Sequence, residues 1–411
     1  MIERKYFKII EKELKKPIIT ALIGLRQVGK TTILEYAFEK VKNDAIFLNF
    51  DKVDLLNSFD NDIEFFIEEY IRPYKYIFID EIQYSKTSGK QLKYIFDTFK
   101  DKKILISGSS LPEIAIHSLS YLVGRVNIIQ VFPVDFREFI KFKLPKTTIF
   151  EKERTYLQLN SVNKYFEEYL RFGGYPEVIL QNSQDEKKKV LSNIVNTYLL
   201  KEIREILNFE NVIDFEKTLK RIALSDGGIT NKSNLSSELE INRVTFNKIL
   251  DILYKTAILY PLQPFLKNKI KEIVKSPKMY LSDLGFKNSM IKNFNEVSLR
   301  QDKGAIYENF ILGTILNYEL TPKFWNFKNE HEIDFVLEGN DIIYGLEIKS
   351  SLKDDNITTS MKKFIETYMP KELIVFNSKI NSVRKLNKTK IIFTSHLNIF
   401  NQLDKIKKEI Y

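Results

Sequence analysis

Apolar and polar positions run along the chain in blocks whose period changes. Residues 3–14 recur with helical spacing. Residues 18–23 are almost continuously apolar and read as a buried strand. A glycine-bearing turn follows, then a helix from Lys30 to about Lys40. Further strands are expected at 45–50, at 76–79 and at 103–107, with a fifth at 127–132. The third ends in Asp80 and Glu81. Wholly apolar strands separated by helices predict a parallel sheet covered on both faces. This first domain is placed at 1–150, within an α/β fold class.

From 151 to 213 the pattern turns helical and lid-like, broken by Phe172-Gly173-Gly174-Tyr175-Pro176, where a helix must stop. Residues 214–300 carry short amphipathic helices. Those at 233–239 and 243–255 are joined by Glu240-Ile241-Asn242 and followed by an extended stretch at 258–264. That order suits a winged helix-turn-helix. In it Asn242 caps the second helix. Arg243, Asn247 and Lys248 face outward, while Val244, Phe246, Ile249 and Leu250 face the core. Such a helix serves DNA or a protein partner. A last domain, 301–411, is expected to hold a helix at 305–320 and strands at 323–327, 332–337 and 342–349. A helix at 358–368 and strands at 372–376 and 390–393 complete it. Gly339-Asn340-Asp341 is the expected hairpin turn.

Composition narrows the chemistry. The 411 residues include no cysteine and three histidines, His117, His331 and His396. Disulfides, thiolate nucleophiles and zinc held by cysteine are excluded. The net charge of +10 attracts polyanions without identifying them. Lys267, Lys269, Lys271 and Lys275 form a basic run that suits either phosphates or a solvated loop. The first sixteen residues are charged rather than signal-like, and no apolar stretch reaches bilayer length. A soluble, cytoplasmic protein without a membrane partner is expected.

Gly24-Leu25-Arg26-Gln27-Val28-Gly29-Lys30-Thr31, followed by Thr32, fits the phosphate-binding pattern G-x-x-x-x-G-K-[ST] between a strand and a helix. Such a loop turns its amides toward a phosphate. Lys30 then bridges the β- and γ-phosphates of ATP, and Thr31 ligates Mg²⁺. Asp80 ends a buried strand and is expected to hold the metal through water. Glu81 is expected to orient and deprotonate the attacking water. Ser109, within Ser107-Gly108-Ser109-Ser110, either touches the γ-phosphate or supplies the small residue a turn needs. Arg125 is either a finger supplied in trans within a homo-oligomer or a surface ion pair.

These stretches resemble the archaeal and bacterial P-loop ATPases of the AAA-like class that carry an uncharacterised C-terminal domain. The likeness continues through Phe132-Pro133-Val134-Asp135-Phe136-Arg137-Glu138-Phe139, Gly173-Gly174-Tyr175-Pro176-Glu177 and Lys278-Met279-Tyr280-Leu281-Ser282-Asp283-Leu284-Gly285. The resemblance implies an ATPase core, a helical and winged-helix middle, and a restriction-endonuclease-like C-terminal α/β domain.

The last domain resembles the PD-(D/E)xK nuclease core. Asp334 lies mid-strand, where a charge is costly unless paired. Glu347 and Lys349 share one face of the next strand, and Glu308 comes from the preceding helix. The resemblance implies Mg²⁺ or Mn²⁺ on Asp334 and Glu347, supported by Glu308, with Lys349 steering water. Lys328-Asn329-Glu330-His331 stands where relatives carry an arginine, a point charge in place of a bidentate fork. The expected function is Mg²⁺-dependent ATP hydrolysis coupled to binding or processing of double-stranded or branched DNA, including cleavage. The alternative is a nucleotide-gated regulatory switch with a non-catalytic nuclease-like domain.

Overall fold

A computed structural model describes residues 1–109, 121–145, 156–206, 212–229, 231–266, 272, 275–328 and 330–411. The side chains at 109, 156–159 and 198–206 lie outside that description. The chain divides into two units. The first comprises 1–134 with the short stretches 175–177 and 251–258, and the second holds the remainder.

The first unit is built on a five-stranded parallel sheet. Its strands are β1 (Ile19–Gly24), β2 (Ala45–Asn49), β3 (Tyr76–Asp80), β4 (Lys103–Ser109) and β5 (Val126–Val131), in the order β2-β3-β4-β1-β5. Ile19, Ala21, Leu48, Ile77, Ile79, Ile104 and Ile106 are buried in one core with Phe59 and Phe66 from the covering helices. Burial on both faces is why these strands read as unbroken apolar runs. The parallel register brings Gly24 beside Ser109 and Asp80 beside Asn49. The carboxyl ends of β1, β3 and β4 therefore share one rim, the place where open α/β sheets bind ligands.

The second unit carries an eight-stranded sheet. Its strands are β6 (Leu259–Pro264), β7 (Lys278–Leu281), β8 (Lys323–Phe327), β9 (His331–Gly339), β10 (Ile342–Ile348), β11 (Glu372–Asn377), β12 (Ser382–Leu386) and β13 (Thr389–Ser395). Their order is β12-β13-β11-β10-β9-β8-β6-β7. Asn340 and Asp341 both adopt left-handed backbone, at φ 48° and 59°, and close the β9–β10 hairpin as a two-residue turn. β6 pairs antiparallel with β7 and parallel with β8, through Gln263 opposite Lys323 and Pro264 opposite Phe324. Strands on both sides of residue 300 thus form one sheet.

Helices Val212–Leu224, Lys232–Glu238 and Arg243–Lys255 precede β6. Asn231 caps the second by accepting from the Ser233 and Asn234 amides. Asn242 Oδ1 accepts from the Val244 amide at 2.8 Å, as a cap should. Phe246, Ile249 and Leu250 are buried, but Val244 is 64% exposed. The expectation that Val244 faces the core is corrected. On a 3.6-residue period it shares a face with Asn247 and Lys248, while the buried stripe runs through 246, 249, 250 and 253. Lys267, Lys269 and Lys271 lie outside the described residues. Lys275 donates to the Asn326 carbonyl at 3.2 Å.

Candidate functional site

The turn between β1 and helix Lys30–Val41 is built around Gly29, whose φ of 92° suits a residue without a side chain. Gln27 is also left-handed, at φ 59°. Lys30 is 6% exposed, and its ammonium donates to the Gly24 and Leu25 carbonyls at 3.0 and 2.8 Å. The cation is thereby held in the mouth of the loop. Thr31 Oγ1 donates to Asp80 Oδ2 at 2.8 Å, and Ser107 Oγ donates to Asp80 Oδ1. A hydroxyl at a helix start and a carboxylate at a strand end thus meet at one point. That donor set fits Mg²⁺, a hard cation that takes oxygen ligands and keeps several waters.

Glu81 follows with left-handed backbone, φ 57°, and accepts from the Gln83 side-chain amide. The turn points Glu81 away from the line of β3, at the same rim as the loop. Of the expected phosphate-site residues, Gly24 through Thr32, Asp80 and Glu81 converge on this rim. Ser109 ends β4 there, and its side chain lies outside the described residues.

Arg125 is at the opposite edge. Its carbonyl accepts from the Ile19 amide, at the start of β1. Its guanidinium forks onto Asp97, with Nε to Oδ1 at 2.9 Å and Nη2 to Oδ2 at 3.1 Å. The hydrogen bond from Arg125 holds the Asp97 carboxyl below its usual range. Within one chain Arg125 therefore makes the surface ion pair.

Two contributors were not singled out from sequence. Arg4, 5% exposed, donates to the Val28 carbonyl at 2.8 Å and to the Phe132 carbonyl at 2.6 Å, bracing the loop from behind. Ser107 fixes Asp80. A buried arginine near the chain start carries no motif, so only its position in a charged, amphipathic first helix hinted at it.

A second cluster lies in the second unit. The β9–β10 register ends with Phe335 opposite Leu346, and Asp334 and Glu347 are the next residues on the two strands. Facing residues of an antiparallel pair share one side of the sheet. Both are buried, and Asp334 Oδ2 accepts from the Ile348 amide at 2.7 Å. Lys349 Nζ lies 2.6 Å from Glu347 Oε1, and Glu347 Oε2 is buried with no hydrogen-bond partner. Glu308, on helix Lys303–Asn317, accepts from the Tyr280 hydroxyl at 3.1 Å.

Lys278, which sequence reasoning placed only in a resemblance motif, reaches in from β7. It pairs with Glu332 and lies 4.0 Å from Glu308 Oε2. Burial, with the Asp334 charge added, pushes both Glu308 and Glu347 up to about 8. Asp334 is raised chiefly by burial, against the pull of Lys278. Among the described residues no three Asp, Glu or His side chains close into a metal-binding group. The expected ligand set of Glu308, Asp334 and Glu347 therefore does not form a ready cage for Mg²⁺ or Mn²⁺ as arranged here. His331 opens β9, and its ring stacks on Phe327.

Among the described residues no helix is long and apolar enough to cross a membrane.

Residues 16–140 match the family model described as AAA domain. Residues 163–297 and 303–397 match two models described as domains of unknown function, DUF8612 and DUF4143. An uncharacterized protein of Methanocaldococcus jannaschii is 26% identical over 354 residues, covering 82% of this chain and 76% of the relative. One from Haemophilus influenzae is 24% identical over 375 residues, covering 87% and 88%. The Holliday junction branch migration motor RuvB of Thermotoga maritima matches over 63% of this chain and 90% of its own, at 16% identity and a TM-score of 0.34. The loop geometry and the match over 16–140 agree that the first unit holds an AAA-like P-loop domain.

Proposed function

We propose that this protein hydrolyses ATP with Mg²⁺ at the rim of the first unit and couples that turnover to DNA binding or processing. The observation that carries the hydrolytic part is the meeting of Thr31 Oγ1 with Asp80 Oδ2 beside the Lys30 ammonium. Lys30 and the loop amides take the phosphates. Thr31 and Asp80 would hold Mg²⁺, which would supply charge neutralisation to the phosphates. Glu81 takes the proton of the attacking water, and Ser109 would touch the γ-phosphate. A homo-oligomer supplying Arg125 in trans would require the fork to Asp97 to open.

DNA as the partner is supported by the exposed face of helix Arg243–Lys255, where Arg243, Asn247 and Lys248 point outward, and by the excess of basic residues. That face belongs to a candidate winged helix. Two measurements test the proposal. Mg²⁺-dependent ATP affinity should be lost in Lys30→Ala, and its survival there overturns the nucleotide site. DNA affinity should fall steeply with salt, because bound phosphates release counterions. Flat, negligible binding removes DNA.

For the last domain one observation favours the switch-like alternative. Lys278, which pairs with Glu332 and approaches Glu308, already neutralises part of the carboxylate cluster, and this supports a non-catalytic nuclease-like domain. Cleavage of linear and branched DNA with Mg²⁺ or Mn²⁺, compared with Asp334→Ala and Glu347→Ala, decides it. Cleavage by the parent that both substitutions abolish establishes a working nuclease. Equal nicking by all three rules this centre out.

A further inference from the structure

The cluster around Asp334 holds more charge than the nuclease-like triad. Glu308, Glu332, Asp334 and Glu347 bring four carboxylates into one shared field, and Lys278 and Lys349 bring two ammonium groups. Fully ionised, the group has two negative charges uncompensated, the charge of one divalent cation. Yet among the described residues no three donors close around a point. The side chain that stands among them is Lys278, itself 3% exposed.

We infer that Lys278 is an internal counter-cation that keeps divalent metal out of the Asp334–Glu347 centre, which becomes a metal site once Lys278 is withdrawn. The inference rests on the reading of Asp334 and Glu347 as a metal-binding pair.

Three contacts support it. Lys278 pairs directly with Glu332 and approaches Glu308 Oε2 at 4.0 Å. Its neighbour on the same face of β7, Tyr280, donates to that same Glu308 oxygen. β7 therefore delivers both a cation and a donor to the carboxylate that the helix contributes. Second, Glu347 Oε2 is buried and unpartnered. An orphaned carboxylate oxygen is costly, and a cation is the ligand that would satisfy it. Third, a buried ammonium flanked by several carboxylates repels an incoming divalent ion and already occupies its electrostatic place.

Lys278 differs from Lys349 in its support. Lys349 directly follows the end of β10 and is partly exposed, whereas Lys278 comes from a strand at the far edge of the sheet, laid down by the segment after the candidate winged helix. A shift of β7 would remove Lys278 without disturbing the hairpin that carries Asp334 and Glu347.

The experiment measures uptake of Mn²⁺ alone, without nucleotide, on the full chain in an Asp80→Asn background that disables the first-unit metal site. Free Mn²⁺ is read by electron paramagnetic resonance. The parent should take up little Mn²⁺. Lys278→Met should bind one Mn²⁺ with affinity about tenfold or more higher. Lys278→Arg, which keeps the charge, should stay closed, and adding Glu347→Gln to Lys278→Met should abolish the gained site. If Lys278→Met does not fold, as judged by near-ultraviolet circular dichroism, Lys278→Gln takes its place with the same expectation. Equal uptake by parent and Lys278→Met overturns the inference. If that equal uptake is lost on Glu347→Gln, the metal-binding pair survives and only the role of Lys278 falls. A gained site indifferent to Glu347→Gln overturns both.

Discussion

The Thr31 hydroxyl and the Asp80 carboxylate, 49 residues apart in sequence, lie 2.8 Å from one another at the rim of the first sheet. One starts a helix and the other ends a strand, so the parallel topology alone brings them together. Thr31→Ala and Asp80→Asn should each weaken the Mg²⁺-dependent part of ATP affinity by about tenfold or more, with little change when Mg²⁺ is absent. Titration of a fluorescent ATP analogue with and without Mg²⁺ checks this. An equal loss under both conditions would point to collapse of the loop instead.

Glu81 leaves the line of β3 through left-handed backbone and is held by the Gln83 amide. Such a turn aims one carboxylate while Asp80 stays with Thr31 and Ser107. Glu81→Gln should keep ATP affinity and lower phosphate release by about a hundredfold or more, the usual contribution of a positioned base. Unimpaired turnover in that variant removes Glu81 from the water-activating role.

Arg4 ties the Val28 carbonyl to the Phe132 carbonyl from a buried position. Charged hydrogen bonds of this kind contribute roughly 1.5–3 kcal/mol each. Arg4→Ala should lower the melting temperature and weaken ATP binding even though Arg4 stands behind the loop. Calorimetric melting and ATP titration of the same preparation read both effects. A lowered melting temperature with unchanged ATP affinity would confine Arg4 to general stability.

Asp283 is wholly buried, and burial pushes its carboxyl up to about 6 against the pull of the Gly174, Phe286 and Gly285 amides. A carboxyl raised above its unfolded value of 3.8 favours the folded state below that value, and the contribution is lost as pH rises through about 6. The swing is on the order of 3 kcal/mol. The stability difference between the parent and Asp283→Asn should therefore be larger near about pH 4.5 than near about pH 7.5. Urea unfolding at both values measures it, and an identical difference shows that Asp283 titrates normally. Gly173→Ala should destabilise at either pH, because φ is +72° and an added Cβ would sit 2.3 Å from Asp283 Oδ1.

Much of the first unit is legible in the sequence. The apolar runs give β1, β3 and β4 because the parallel sheet buries both their faces, edge strand β5 is apolar although Ile128 is exposed, and the loop pattern from Gly24 to Thr31 fixes one geometry. Asp80 and Glu81 follow from their place at a strand end. Arg4 and Ser107 stay hidden, since each acts through contacts with partners far along the chain. In the second unit the hairpin with Asp334 and Glu347 is readable from alternation and the Asn340-Asp341 turn. Lys278 is not, because it reaches Glu332 across 54 residues. β7 and β12 were missed for a related reason: β7 is four residues long, and β12 is an exposed strand at the sheet edge without an apolar stripe. Val244 is apolar, but its angle on the helix sets it on the exposed face with Asn247 and Lys248.

The pairing of β6 with β8 bears on how this chain can be dismantled. A fragment ending near residue 300 keeps β6 and β7 but strips the partner that shields the backbone groups of Gln263 and Phe265. Raw strand edges of that sort seek other chains and precipitate. The tract carrying Arg243 and the tract carrying Asp334 are hence no interchangeable cassettes. Recombination or proteolysis that parts them leaves neither half whole, and a fragment meant to carry Asp334 should begin upstream of residue 259.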